Sequence, residues 1–350
     1  MGDGGAVGVG LVGYGLAGSG LHAPLIGAEP RLRLHAVASR HPEKVHRDIP
    51  AARVVATPAE LLEDPAVELV VVAAPNTLHH ELAGAALRAG RHVVVDKPFV
   101  TSSSEADELI GLAERQGRLL SVFHNRRWDN DYLTVGHCVR AGLLGRVSTY
   151  IARYDRFSPH PAGGWRERQE LGSGVLYDLG AHLIDQALLL FGLPARVMAD
   201  VGAQRPGALT DDYFHVVLGY QELRVILHAG SLVRAPGPRF EVHGDEGSFV
   251  KHGVDPQALA LESGGRPGDP GWGSDPADRY GTLTTEVAGL EVTGELATLP
   301  GSYQSFYRGM AGAILGEGPV PVAAQEARNT IWIIECALQS SREGRTVAIR

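Results

Sequence analysis

Asp178, His182 and Asp185 stand at i, i+4 and i+7 in residues 172–186, a stretch that continues through Ala187, Leu188, Leu189, Leu190 and Phe191. On a helix this spacing puts three polar side chains on one narrow stripe. The remaining faces are apolar almost all round, the pattern of a buried helix. Carboxylates are costly to bury alone, so the stripe needs a polar cleft or paired groups in the core. An imidazole titrates near working pH and can move a proton, while a carboxylate one turn away can hold it. A self-satisfied Asp–His pair in the core has the same spacing. A second reactive position is Lys97, in Asp96-Lys97-Pro98, where an ammonium group can donate to a substrate oxygen or be an ordinary surface charge.

The elements that must position these groups change character along the chain. Short apolar runs at 7–12, 32–39, 54–56, 68–74, 92–95 and 119–123 alternate with helical segments, including 80–89 and 104–115. That alternation predicts a parallel, doubly wound sheet with right-handed crossovers. Between its first strand and first helix lies Gly13-Tyr14-Gly15-Leu16-Ala17-Gly18. In that position the glycines allow a tight turn, close approach of backbone to phosphate, and close helix–strand packing, with the helix N-terminus offering free N–H groups. Gly13, Tyr14, Gly15, Leu16 and Gly18 are therefore candidate dinucleotide contacts, an ordinary glycine turn being the alternative. An NAD site usually carries an acid at the end of the second strand. Here Ser39 and Arg40 stand there, and a guanidinium suits a 2′-phosphate, which favours NADP over NAD unless Arg40 is only a solvated loop charge. Ligands in such sheets sit beyond the carboxyl ends of the strands, which adds Pro75, Asn76, His79 and Lys97.

From His124 the pattern shifts to strands at 147–156, 196–201, 213–220, 223–232 and 239–243, with a hairpin connection at 220–223, a long Gly/Pro/Asp-rich loop at 263–281 and a closing helix at 325–342. Mostly sequential strands predict an α+β domain with a large, mostly antiparallel open sheet, backed by the Asp178–His182 helix. The expected division is 1–123 for dinucleotide binding and 124–350 for substrate binding and oligomerisation. One face of the open sheet lacks helices to cover it, so a homodimer or homotetramer is expected.

Bulk properties narrow the function. A chain of 350 residues suits two domains, and a net charge of −8 with pI near 6.0 gives no footprint for nucleic acid. Cys138 and Cys336 are distant from one another and belong to no CxxC pair, which argues against a disulfide framework or zinc site. Neither a signal peptide nor a membrane-length apolar run is evident. A soluble, cytoplasmic protein is expected. His79 and His80 are adjacent and diverge, no third ligand is fixed by spacing, and no metal is expected.

These motifs together resemble the Gfo/Idh/MocA oxidoreductases, the glucose–fructose oxidoreductase and inositol dehydrogenase family. The carriers are Gly13–Gly18, Asp96-Lys97-Pro98, His124-Asn125-Arg126-Arg127-Trp128-Asp129 and Tyr177-Asp178 through Asp185. Within the family, residues 121–131 and Tyr213-Phe214-His215 are most similar to NADP-dependent scyllo-inositol dehydrogenases. The resemblance implies a catalytic trio of Lys97, Asp178 and His182, a cis Lys97–Pro98 bond, and Asp185 on a polyol. Asn125 and Arg126 are further candidates for neighbouring hydroxyls. Asp96 departs from the family, which usually has Glu there. The expected reaction is hydride transfer between a secondary alcohol of a cyclic polyol or sugar and the nicotinamide. Two other classes share the fold: a redox-silent NADP-binding regulator, and an NAD-assisted glycosidase.

Overall fold

The computed structural model describes residues 5–161, 163–164 and 167–349. They form two compact units. The first comprises Met1–Asn125 together with two returning segments, Gln257–Trp272 and Ser302–Arg328. We retain 1–123 and 124–350 as a proposal for the functional modules; by compactness alone the first unit is discontinuous.

In the first unit, β1 (Val7–Val12), β2 (Leu32–Ala38), β3 (Arg53–Val55), β4 (Leu69–Val72), β5 (His92–Val95) and β6 (Leu120–Val122) make one sheet in the order β3-β2-β1-β4-β5-β6. Every pairing is parallel. Covered on both faces, β1 and β4 are buried throughout and read as unbroken apolar runs. The strand order reverses between β1 and β4, so the loops after them open at the switch point where such sheets bind ligands. The helix Ser103–Gln116 shows how local sequence sets the boundaries: Ser102 Oγ accepts the Glu105 N–H, and Gly117 ends the helix at φ 59°. Two helices missing from the sequence reading, Gln257–Glu262 and Gln304–Ile314, belong to the returning segments.

The second unit holds a nine-stranded sheet. Its strands are β7 (Val147–Arg153), β8 (Arg196–Gly202), β9 (Tyr213–Gly219), β10 (Arg224–Gly230), β11 (Phe240–Gly244), β12 (Gly247–Lys251), β13 (Gly281–Val287), β14 (Leu290–Leu296) and β15 (Val347–Ala348), in the order β14-β13-β12-β11-β7-β10-β9-β8-β15. All pairings are antiparallel except β7 with β10. The connection between β7 and β8 carries the helix Ala181–Phe191, and the β8-β9-β10 meander then brings β10 alongside β7 in the same direction. The hairpin at 220–223 is present, closed by the Tyr220 N–H donating to the Leu223 carbonyl. Strands β12, β13, β14 and β15 were not read from the sequence.

One face of this sheet buries Tyr150, Phe214, Val216, Leu218, Val225, Leu227, Phe240 and Val242. The segment around 176–191 packs on β9 and β10. On the other face the register aligns Met198, Val217, Ile226 and Ile151 in a row across β8, β9, β10 and β7, none of them buried.

Candidate active site

The turn after β1 has the geometry a pyrophosphate requires. Gly13 sits at φ 96°, where a Cβ would also stand 2.5 Å from the Ala73 carbonyl oxygen. A Cβ on Gly18 would run into the Gly13 carbonyl, so that glycine lets the helix pack against the strand end. Gly15 differs: it is exposed and nothing lies within 4 Å of the place its Cβ would take. The space is open, and only a bare backbone lets a phosphate come close. The residues present therefore fit a dinucleotide. Leu16 is exposed at the tip, while Tyr14 is buried with its hydroxyl donating to Asp48 Oδ2 at 3.2 Å. Burial, with the Asp48 charge, pushes that phenol up to about 12. Ser39 Oγ accepts the His41 N–H at 3.1 Å, which leaves its own hydrogen to donate, and Arg40 is exposed beside it. Lys44, missed in the sequence, donates to the Tyr14 carbonyl and to Ser19 Oγ, each at 3.1 Å, and so braces the glycine turn with a cation.

The loops after β4 and β5 are tied together by His79. Its ring nitrogens contact the carbonyl oxygens of Ala74 at 2.9 Å, Pro98 at 2.9 Å and Phe99 at 3.2 Å, and the residue is 1% exposed. Burial lowers its pKa, while Asp96 and the carbonyls pull it back. Its side chain is committed to backbone, and it shapes the two loops among which the sequence places a cofactor. Pro75 is exposed at the turn and Asn76 is buried at the start of the short helical turn Asn76–Leu78. The Lys97–Pro98 bond is cis. Lys97 is half-buried, and its N–H donates to Asp96 Oδ1 at 2.8 Å. Burial alone would raise the Asp96 carboxyl, but His22, Lys97 and His79 outweigh it and hold it below the usual carboxylate range.

In the second unit the Asp–His–Asp stripe is present with a different start from the one expected. Helical structure begins at Leu176, after Gly172 and Gly174 have turned the chain at φ 76° and 92°. Its first turn, Leu176–Gly180, is a wide π turn, and the regular helix is Ala181–Phe191. With an i→i+5 ladder, residues four apart stand more nearly in line than in an α-turn, and such turns recur at functional sites. The helix end is capped from a distance by Asp211, whose Oδ2 accepts the Leu176 N–H at 2.7 Å and whose carbonyl accepts the Val175 N–H at 3.0 Å. Burial raises the Asp211 carboxyl despite those bonds.

Asp178 is half-buried and His182 is 4% exposed. Asp185 is 2% exposed, and Arg127 grips both of its oxygens, Nε to Oδ2 at 2.8 Å and the second nitrogen to Oδ1 at 2.7 Å. Through this pair Asp185 ties the turn Asn125–Trp128 to the helix. Gln186 adds a second tie, donating to the Arg126 carbonyl at 2.7 Å and accepting from Arg239 at 3.2 Å. Arg126 pairs with Asp129 at 3.1 Å, and both Arg126 and Arg239 lie 4.8 Å from the centre of the Tyr154 ring. Asn125 is buried at the start of the same turn. Arg127, Gln186 and Asp211 were not singled out from the sequence; adjacency to Arg126 and Asp185 was the available signal for the first two. Among the described residues no group of three His, Cys, Asp or Glu side chains could hold a metal, and no helix is long and apolar enough to cross a membrane.

Comparison with known proteins agrees with this geometry. Residues 7–124 match the oxidoreductase family's NAD-binding Rossmann fold, and residues 137–349 match its C-terminal alpha/beta domain. The chain is 44% identical over 341 residues to scyllo-inositol 2-dehydrogenase (NADP(+)) IolW of Bacillus subtilis, covering 97% of this chain and 95% of that one. It is equally 44% identical to the uncharacterized oxidoreductase YdgJ of Escherichia coli, covering 97% and 98%. The solved structure of the oxidoreductase yvaA from Bacillus subtilis superposes with a TM-score of 0.97 at 43% identity, covering 100% of both chains. With a phosphate-ready glycine turn at the switch point of one sheet and both family domains matched in order, the chain belongs to the Gfo/Idh/MocA oxidoreductase family.

Proposed function

We propose that the protein is an NADP-dependent dehydrogenase acting on a secondary hydroxyl of a cyclic polyol or sugar of the inositol kind. The observation that carries the reading is the open space at Gly15 in a turn placed between β1 and the switch point. Ser39 and the exposed Arg40 at the end of β2, in place of an acid, support NADP. The similarity to a scyllo-inositol 2-dehydrogenase supports the substrate class.

When bound, the nicotinamide supplies a hydride acceptor or donor. His182 takes the hydroxyl proton in oxidation and returns it in reduction, a role suited to an imidazole held at 4% exposure on a rigid helix. Asp178, on the preceding turn, orients the ring and stabilises its charged form. Lys97 donates to the reacting oxygen and stabilises alkoxide character. Asn125 and Arg126 bind neighbouring hydroxyls. Asp185 acts through Arg127 by holding their turn in place.

The test is a panel of inositols and aldoses, followed by the absorbance of reduced nicotinamide with NADP and NAD in parallel. His182→Ala lowers turnover about 10²–10⁴-fold while NADPH binding persists. Near-normal turnover in that variant would remove His182 from the role. A redox-silent regulator would bind nicotinamide and oxidise none of the panel, and an NAD-assisted glycosidase would release reducing sugar without net NADPH change.

The row Met198, Val217, Ile226 and Ile151 on the uncovered sheet face supports assembly into a homodimer or homotetramer. Light scattering on the purified protein checks it; Ile226→Glu shifts the mass toward the monomer. Two buried free cysteines suit the reducing cytoplasm.

A further inference from the structure

His22 lies in the helical run after the glycine turn, and Tyr307 in the returning helix Gln304–Ile314. Both are fully buried within the first unit, and Tyr307 Oη lies 2.6 Å from His22 Nδ1. The His22 ring also packs on Phe123 at 4.4 Å, and Phe123 meets Phe306 at 4.9 Å, so the imidazole cannot rotate away. Burial and the nearby Asp96 charge push the Tyr307 phenol well above its ordinary range, so it stays protonated. A phenol O–H can donate to a ring nitrogen or accept from it. With the phenol as donor, Nδ1 is the acceptor and the ring hydrogen sits on Nε2. Nε2 makes no hydrogen bond, yet it faces Asp96 Oδ1 at 3.7 Å. The same Oδ1 accepts the backbone N–H of Lys97. The charged or titratable groups around Asp96 are His22, His79 and Lys97; those around His22 are Tyr307 and Asp96.

We propose that Tyr307, His22 and Asp96 form a buried positioning relay that sets the backbone, and through it the ammonium group, of Lys97. Tyr307 fixes the tautomer of His22, His22 presents Nε2–H to Asp96, and Asp96 holds the peptide of Lys97. His22 and Tyr307 touch neither the hydride path nor the substrate; they act through Asp96. The inference rests on the proposed dehydrogenase role of Lys97, but its first step, the tautomer, does not.

Two side chains separate the halves of the imidazole. Asn at position 22 places a polar atom near Nδ1 and none near Nε2; Gln does the reverse. In the full-length protein with NADPH bound, His22→Asn lowers kcat by up to about 10²-fold, the scale of a small misplacement at a distance. His22→Gln recovers most of that loss. KM, the NADPH dissociation constant and the melting temperature stay close to the wild type in both. Equal kcat in both variants, or a kcat loss that tracks lost stability or cofactor binding, overturns the relay. Independently of any substrate, long-range ¹⁵N–¹H correlation of the His22 ring should show the hydrogen on Nε2 and lose that preference in Tyr307→Phe. A hydrogen on Nδ1 overturns the relay at its first link. Wild-type protein inert on the whole panel, with the Nε2 tautomer intact, would overturn the dehydrogenase reading and leave that link standing.

Discussion

Substituting the three glycines of the turn by alanine separates folding from binding. At Gly13 the methyl meets two penalties at once. A φ of 96° costs an L side chain about 1–2 kcal/mol, and a Cβ 2.5 Å from the Ala73 carbonyl forces a backbone shift worth about 1–3 kcal/mol. Gly13→Ala is therefore destabilised by about 2–5 kcal/mol. Gly18→Ala is destabilised as well, since its Cβ would overlap the Gly13 carbonyl. Gly15→Ala has neither penalty: its φ is not positive and its Cβ enters open space. Restricting the unfolded chain stabilises it by about 0.4–1 kcal/mol. The same methyl occupies the place a phosphate must approach, so one charge-assisted hydrogen bond of about 1.5–3 kcal/mol is lost. That corresponds to NADPH affinity lower by about 10- to 150-fold. Thermal unfolding without cofactor and quenching of NADPH fluorescence give the two readouts. Gly15→Ala binding NADPH as tightly as wild type, or losing stability in step with Gly13→Ala, would refute the assignment of the turn.

Three further outcomes are expected. Arg40→Ala weakens NADP about tenfold and leaves NAD unchanged, as titrations of both cofactors will show, because only NADP carries the 2′-phosphate. Lys251 and Asp275 form a fully buried ion pair at 3.0 Å; Lys251→Met costs about 3–5 kcal/mol in urea unfolding, whereas Lys251→Met with Asp275→Leu recovers most of it, since the lone buried charge is the expensive species. Asp131 is pushed up to about 6, by burial first and by Asp129, against Arg239 and Lys251. Its folded pKa lies above the unfolded value of about 3.9, so between the two the folded state keeps a proton the unfolded state has lost. Stability from this group falls as pH rises from about 4 to about 6 and is level beyond; Asp131→Asn removes that slope in urea titrations across the range.

What the sequence disclosed follows the range over which each interaction acts. The glycine turn and the Asp178–His182–Asp185 stripe were legible because period and neighbour chemistry are local. The first sheet was legible because β1 and β4, covered on both faces, leave unbroken apolar runs. Strands β13 and β14 were not, although Leu290-Glu-Val-Thr-Gly-Glu-Leu296 alternates apolar and polar residues: β14 is exposed along almost its whole length, so its short alternation marks no core. Their turn was the better signal: Ala288 and Gly289 both have positive φ, at 54° and 80°, in a two-residue hairpin loop. The partner of Asp185 was hidden for a different reason. A carboxylate on a polar stripe is equally fit to meet a substrate or a guanidinium, and its partner Arg127 lies 58 positions away. Nothing in the spacing of the helix specifies which. The same holds for His22 and Tyr307, 285 positions apart and joined only because the chain returns to the first unit after the open sheet. Helical period could have shown that Phe306, Tyr307, Met310 and Ala311 share a buried face. It could not have shown that the hydroxyl on that face would meet an imidazole, because that pairing is set by where the returning segment docks.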